Sequence, residues 1–341
     1  MNNASDLIQF ATFLVVIIFT MLLLNLIIKY APKLKLVDIP NHRSSHKTPT
    51  PRGGGLAIIL SLLLALIIAW TTGNISISIK SFFVYLSVII LMMILGYISD
   101  IIYIPVVIRL IFQIAIAAIA VLTLPIAQEF SLIFFSISGW LLSLLFIIWL
   151  VTNINYFNFM DGLNGFSGFQ AITASFVLLY LGHIILNDLI TNTATFLILA
   201  LVVFLNHNLK GRLFLGDVGS YTIGFLIILL SLFDARLIIP VALTFSWFIF
   251  DATITILRRI VCHQAWCQSH RSHFYQRANI IGYSHQQVSL IGLVFFLIFS
   301  ALGITYFYTE DLLLIFLALM ICSCLACIIK KKEITIKENK S

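Results

Sequence analysis

Charge is what this chain most conspicuously lacks. Only 10% of its 341 residues are Asp, Glu, Lys or Arg, where a soluble domain carries about 25%. With 61% hydrophobic residues and a mean hydropathy of +1.10, folding alone cannot hide the apolar surface. An ordinary water-soluble domain is thereby excluded. Lipid is the remaining solvent, and the expected fold is all-α: a polytopic membrane bundle whose backbone groups bond within each helix. Cysteine is also scarce. Cys322, Cys324 and Cys327 fall in the last apolar run, and Cys262 and Cys267 flank a basic loop, so the five form no disulfide framework. The latter pair, with His263 and His270, imitates a zinc site, but its spacing matches no common finger. No repeat or low-complexity linker divides the chain, so residues 1–341 read as one domain with a basic tail at 330–341. Residues 7–28 are expected to be a span, not a removable signal. The run is too long, no basic segment precedes it and no A-x-A site follows.

Apolar runs occur near residues 7–28, 54–71, 81–98, 105–123, 131–151, 166–186, 193–207, 220–233, 238–257, 288–307 and 312–329. They predict about eleven transmembrane helices, several of them shorter than the roughly 20 residues a straight span needs. Threaded so, all basic residues but Lys80 and Arg236 fall on one side, counting Arg109 just inside the fourth span. The positive-inside rule then places the N-terminus outside and the C-terminus in the cytoplasm of a multi-pass membrane protein. The net charge of +7 therefore reports orientation and contact with anionic membrane lipid. No nucleic-acid partner is expected.

The polar islands also share that side. Three prolines and the glycines Gly53, Gly54 and Gly55 follow Arg43, Lys47 and Arg52 in the first. Exposed N–H groups at a helix start would make a phosphate cradle there, though a basic topogenic loop with a hinge reads equally well. The stretch Asn155–Gly165 has two early asparagines, Asp161 and two glycines but no basic residue. Topology does not require such a loop. An acid at the membrane edge is costly, so Asp161 reads as a cation ligand more readily than as a helix cap. Asp217 stands between Gly216 and Gly219 just before a span, as a Mg²⁺ ligand or an N-cap. His270, Arg271 and His273 offer donors to phosphate oxygens, or simply to lipid headgroups. Asp251, inside the ninth run, should pair inward, with Arg258 or Arg259 as its expected partner.

In order, PRGGG, the Asp100 loop, NYFNFMDGLNG, FLGDVGS and HRSHFYQR resemble the polyprenyl-phosphate N-acetylhexosamine-1-phosphate transferases, across nearly the whole stretch from Pro40 to Arg277. The wording is most similar to the enzymes that initiate O-antigen. The resemblance implies transfer of a sugar 1-phosphate from a UDP-N-acetylhexosamine to undecaprenyl phosphate with release of UMP, using Mg²⁺ or Mn²⁺. It makes Asp217 and Asp161 the metal ligands and Asp100 the acid near the attacking lipid phosphate, a candidate for its base. It further implies that Asn155 and Asn158 line the nucleotide site and Phe214 stacks on uracil. Arg52, His270, Arg271 and His273 would contact substrate, the last three at the diphosphate. A homodimer is compatible with related enzymes. The chain departs from the family at Ser99, where paired aspartates are usual, and at Asn164, in place of a second aspartate. The competing readings are a transporter or flippase, which should place its polar groups at the bilayer midplane, and a catalytically silent scaffold.

Overall fold

The computed structural model describes residues 3–40, 48–132, 135–265 and 270–338. The expectations resting on Arg43, Lys47 and Cys267 lie outside them. Helices dominate: α1 (Asn3–Tyr30), α2 (Gly54–Thr71), α3 (Ile79–Ile101), α4 (Val106–Thr123), α5 (Gly139–Phe159), α6 (Phe166–Ile184), α7 (Asp188–Asn208), α8 (Gly216–Ser231), α9 (Ile238–Thr244), α10 (Ser246–Val261), α11 (Phe274–Ile280), α12 (His285–Thr309) and α13 (Leu313–Glu338). Two small hairpins pair β1 (Val37–Asp38) with β2 (Thr50–Pro51) and β3 (Glu129–Leu132) with β4 (Phe135–Ser138). Local sequence explains several helix starts. Ser284 and Gln287 close a reciprocal capping box at α12, and the Ser78 and Asn187 side chains accept the Ser81 and Ile190 amides in the first turns of α3 and α7.

Each of the eleven apolar runs contains helix, and with the bent pair counted as one span up to ten pass as membrane-crossing among the described residues. Nine helices among the described residues are long and apolar enough to cross a membrane. The run at 238–257 is broken instead, with α9 and α10 meeting at a 68° bend. Gln170 of α6 donates to the carbonyl of Thr244 at that break, 3.0 Å away. A neighbouring helix thus satisfies a backbone group that the bend releases in an apolar setting. The run at 131–151 begins as the β3–β4 hairpin, and its helix starts only at Gly139. The alternation Phe-Ser-Ile-Ser in β4 has the period of a strand.

Helix α8 is the eleventh, and its 16 residues span about 24 Å at 1.5 Å per residue, short of a hydrocarbon core of about 30 Å. It has no need to face lipid at any level. Val218 to Ser231 are all buried, and α8 packs against α2, α3, α5 and α6. Association in lipid rests on close packing rather than on apolar burial, so small residues mark the crossings. A Cβ on Gly55 would overlap the Cα of Gly219, and one on Gly96 would lie 2.5 Å from the Cα of Val218. The N-terminus of this short central helix is where the polar loops meet.

Candidate active site

The first and fourth islands are zipped together by backbone. Phe214 donates its N–H to the Pro51 carbonyl, while Gly54 and Gly55 donate theirs to Phe214 and Leu215, each at 2.9 Å. Two amides of the expected phosphate cradle are thus already used, and glycine is required there for close approach. A Cβ on Gly54 would meet the Phe204 ring and, at 3.0 Å, the Phe214 carbonyl. Gly216 has φ +80°, and a Cβ on it would lie 2.7 Å from Asp100 Oδ2.

Asp100, 2% exposed, caps α8 from the end of α3. Its two oxygens accept the amides of Asp217 and Val218, both at 3.0 Å. Arg52 donates to the Asp100 carbonyl, and its Nε lies 3.7 Å from the carboxylate. A helix start leaves amides unmatched and favours negative charge, so this buried acid is stabilised by the helix it caps.

Asp217 itself points away from that cap and stays 28% exposed. Asn158 donates to Oδ1 at 2.9 Å, and Ser99 and Tyr221 donate to Oδ2 at 2.7 and 3.1 Å. Arg109 lies 3.8 Å from Oδ2 and donates to the Tyr221 hydroxyl at 2.6 Å. Ser99 therefore orients Asp217. Sequence reasoning saw it only as a missing carboxylate, and it counted Arg109 only toward orientation. Tyr221 lies four residues after Asp217 on one helix face, the one signal that could have flagged it. The Nε atoms of Arg52 and Arg109 are buried without a hydrogen-bond partner among the described residues, so each guanidinium keeps an unmet donor beside the carboxylates.

Asn155 and Asn158 lie within α5 rather than in a loop, one turn apart. Asn158 also donates to Ser220 at 2.8 Å, whereas Asn155 donates to Gln113 at 2.7 Å and to the Val151 carbonyl. Asp161 follows the helix in a turn held from two sides. The Gly165 amide donates to Asn208, and Tyr275 accepts the Gly162 amide at 2.9 Å while donating to the Phe159 carbonyl at 2.8 Å. Burial pushes the Asp161 carboxyl up to about 8; the Ser167 hydroxyl, which donates to it, opposes this, and the Asp217 and Asp100 charges add to it. Asn164, the second departure, is anchored through its carbonyl by Ser289 at 2.7 Å.

The last island is set by the same device as the start of α8. Asp251, fully buried, accepts the amides of Phe274 and Tyr275 at 2.9 and 3.1 Å and bonds His273 Nδ1 at 3.2 Å. The expected partner, Arg258 or Arg259, is replaced by this helix start. Arg259 turns instead toward Ser272 and the Ala265 carbonyl. A caged arrangement of amides satisfies a buried carboxylate in more directions than one guanidinium could. His273 is thereby buried at 2% exposure, with the His270 ring tilted beside it at 4.9 Å between ring centres. Arg271 reaches Asn279 at 3.4 Å.

Burial, then His273 and Arg259, push the half-buried His270 down to about 4. The ring is neutral at pH 7. The unfolded ring titrates near 6.5, so between about 4 and 6.5 the unfolded chain binds more protons and stability rises with pH. Melting temperatures in detergent should climb over that window and then level off, with a shallower climb in His270→Gln. Equal slopes for both proteins would place this histidine in water.

Among the described residues no group of three or more His, Cys, Asp and Glu side chains converges to form a cage for a metal. Mg²⁺ commonly takes one or two carboxylates and completes its shell with waters and substrate phosphates. Asp217, oriented and partly exposed, with Asp161 near enough to feel its charge, fits that mode.

Two comparisons bear on this arrangement. Residues 82–234, from α3 to the end of α8, match the family model described as glycosyl transferase family 4. Over 306 residues the chain is 27% identical to a protein of Bacillus subtilis strain 168 named a probable undecaprenyl-phosphate N-acetylglucosaminyl 1-phosphate transferase, covering 82% of this chain and 81% of that one. The matched region holds Ser99, Asp100, Arg109, Asn158, Asp161 and Asp217, the residues that meet around the start of α8, so the likeness to glycosyl transferase family 4 falls on the part of the chain that builds the site.

Proposed function

We propose that this chain transfers an N-acetylhexosamine 1-phosphate from a UDP-sugar to undecaprenyl phosphate at the cytoplasmic face of the bacterial inner membrane. The observation that carries the reading is the Asp217 carboxylate, aimed by donors from α3, α5 and α8 and flanked by Arg109, whose buried Nε has no hydrogen-bond partner among the described residues. The name of the Bacillus subtilis relative supports the same chemistry. An oxygen of the lipid phosphate bonds to the β-phosphorus of the UDP-sugar. The bond from that phosphorus to the bridging oxygen breaks, and UMP leaves with the electron pair. One phosphoanhydride replaces another, so the protein's work is positioning and charge neutralisation.

Asp217 and Asp161 would hold Mg²⁺ or Mn²⁺, which supplies Lewis-acid neutralisation of the diphosphate. Asn158, Ser99 and Tyr221 keep Asp217 in register, and Asn155 ties the same stretch of α5 to α4 through Gln113. Phe214, half-buried, stacks on uracil in this reading. Arg52, Arg109, His270 and Arg271 contact phosphate oxygens, and His273 sets the His270 loop through Asp251. Asp100, with both oxygens on α8 amides, acts by holding that helix start, because a phosphate oxygen is nucleophilic without a base. The first sugar to test is N-acetylglucosamine, and the glycan begun on the lipid is an O-antigen or related envelope polysaccharide.

Membranes containing the protein should release UMP from one member of a panel of UDP-N-acetylhexosamines only with polyprenyl phosphate and Mg²⁺ present. Mass detection identifies the lipid product. Absence of lipid-linked sugar across the panel defeats the reading, and substrate uptake by proteoliposomes without UMP would favour a transporter.

A further inference from the structure

The far end of α13 makes contacts that anchoring in a membrane does not require. Its 26 residues run about 39 Å at 1.5 Å per residue, longer than a hydrocarbon core of about 30 Å, so its last turns leave the bilayer beyond Lys330 and Lys331. There Glu333 receives both arms of the Arg277 guanidinium, Nε at 2.8 Å from Oε1 and Nη2 on Oε2. The two side chains are only 12% and 21% exposed. The guanidinium also lies 4.7 Å from the centre of the Phe274 ring. One residue earlier on α13, Lys332 donates to the Tyr283 hydroxyl at 2.6 Å. Thus α13 grips α11 and the turn after it, while Asp251 holds the first turn of α11.

Such a grip matters because α11 has only seven residues, too few to hold itself as a helix in water. It also carries Tyr275, the hydroxyl that clasps Phe159 and Gly162 on either side of Asp161. Contacts therefore run unbroken from Glu333 through Arg277 and α11 to the Asp161 turn. A planar, two-armed, shielded pair holds direction as well as distance.

We propose that Glu333 is a positioning residue of the active site, acting through Arg277 and α11 on the turn that carries Asp161. Only the kinetic half of its test rests on the transferase reading.

The test uses the full chain in nanodiscs and follows amide hydrogen exchange of α11 and Gly162. Glu333→Gln should speed exchange there about fivefold or more, and Arg277→Gln should do the same. The double variant should exchange no faster than either single, because both changes break one contact. Glu333→Asp, which keeps the charge, should fall between Glu333→Gln and the unaltered protein. With the UDP-sugar that the panel selects, Glu333→Gln should raise KM about fivefold and leave kcat within about twofold. Unchanged exchange in Glu333→Gln, or additive effects in the double variant, overturns the proposal whatever the activity. Faster exchange with unchanged KM makes the pair a brace without a positioning role, which also overturns it. Failure of the unaltered protein to transfer any sugar counts against the transferase reading, and the exchange data still decide this one.

Discussion

Asp217→Ala should lower UMP release by at least about 10³-fold, with the protein still inserted and monodisperse. A loss of that size is about 4 kcal/mol of transition-state stabilisation, within what a metal's ligand supplies. The structure makes the expectation sharp because Asp217 has little structural duty. Its amide is held by Asp100, but its carboxylate is turned out of the cap and is 28% exposed, where Asp100 is 2% exposed. Asp217→Asn separates charge from shape. It keeps the shape and one oxygen, which can serve either the Asn158 donor or the Ser99 and Tyr221 donors, and it removes the negative charge, so it should fail nearly as badly as alanine. Activity within tenfold of normal for either variant would place the chemistry elsewhere on this face. Asp100→Asn should differ in kind. It weakens the cap on α8, so its loss of activity should come with a lower melting temperature.

Gly55→Val should be the most damaging single change to folding. At Gly55 the backbones of α2 and α8 touch, and a Cβ would fall inside the atoms of Gly219. Main chain cannot rotate away as a side chain can, so the helices must separate or the start of α8 must move. Overpacking of a close-packed interior costs about 1–3 kcal/mol even where side chains can adjust, and this contact offers no such adjustment. Loss of folded protein on size exclusion after mild heating in detergent would show it. Gly73 is the comparison. It has φ +78° and nothing within 4 Å of a built Cβ, so Gly73→Ala should cost only the backbone strain, about 1–2 kcal/mol. Equal effects at the two positions would mean that the α2–α8 contact is looser than it looks.

The apolar runs were legible because lipid demands them. Composition alone called for helices, and the asymmetry of Lys and Arg called for an orientation. Asp161 and Asp217 stood out because an acid at a membrane edge needs a reason. What periodicity could not reveal was the status of each run. α8 and the α9–α10 break read as spans because hydropathy registers apolarity, whereas a helix sheathed by other helices need not reach either surface. The glycines of PRGGG admit two readings in the sequence, a phosphate cradle or a hinge, and the structure gives the Gly54 and Gly55 amides to the neighbouring backbone. A glycine that frees an amide for a ligand and one that admits a neighbouring backbone look the same in one dimension. The partner of Asp251 was missed for a related reason, since a helix start made by residues 274 and 275 carries no charged side chain to announce itself.

By itself, the sequence determined the solvent, the helical class, the one-sided polar face and the identity of the acids on it, all consequences of transfer energies that each residue carries locally. Only the tertiary structure decided what those acids do. It turned Asp100 and Asp251 into caps for distant helices, left Asp217 open among oriented donors, and brought Ser99 and Arg109 beside it. These assignments depend on directional hydrogen bonds between segments up to 118 positions apart, such as Ser99 to Asp217. Direction arises only when the helices have packed.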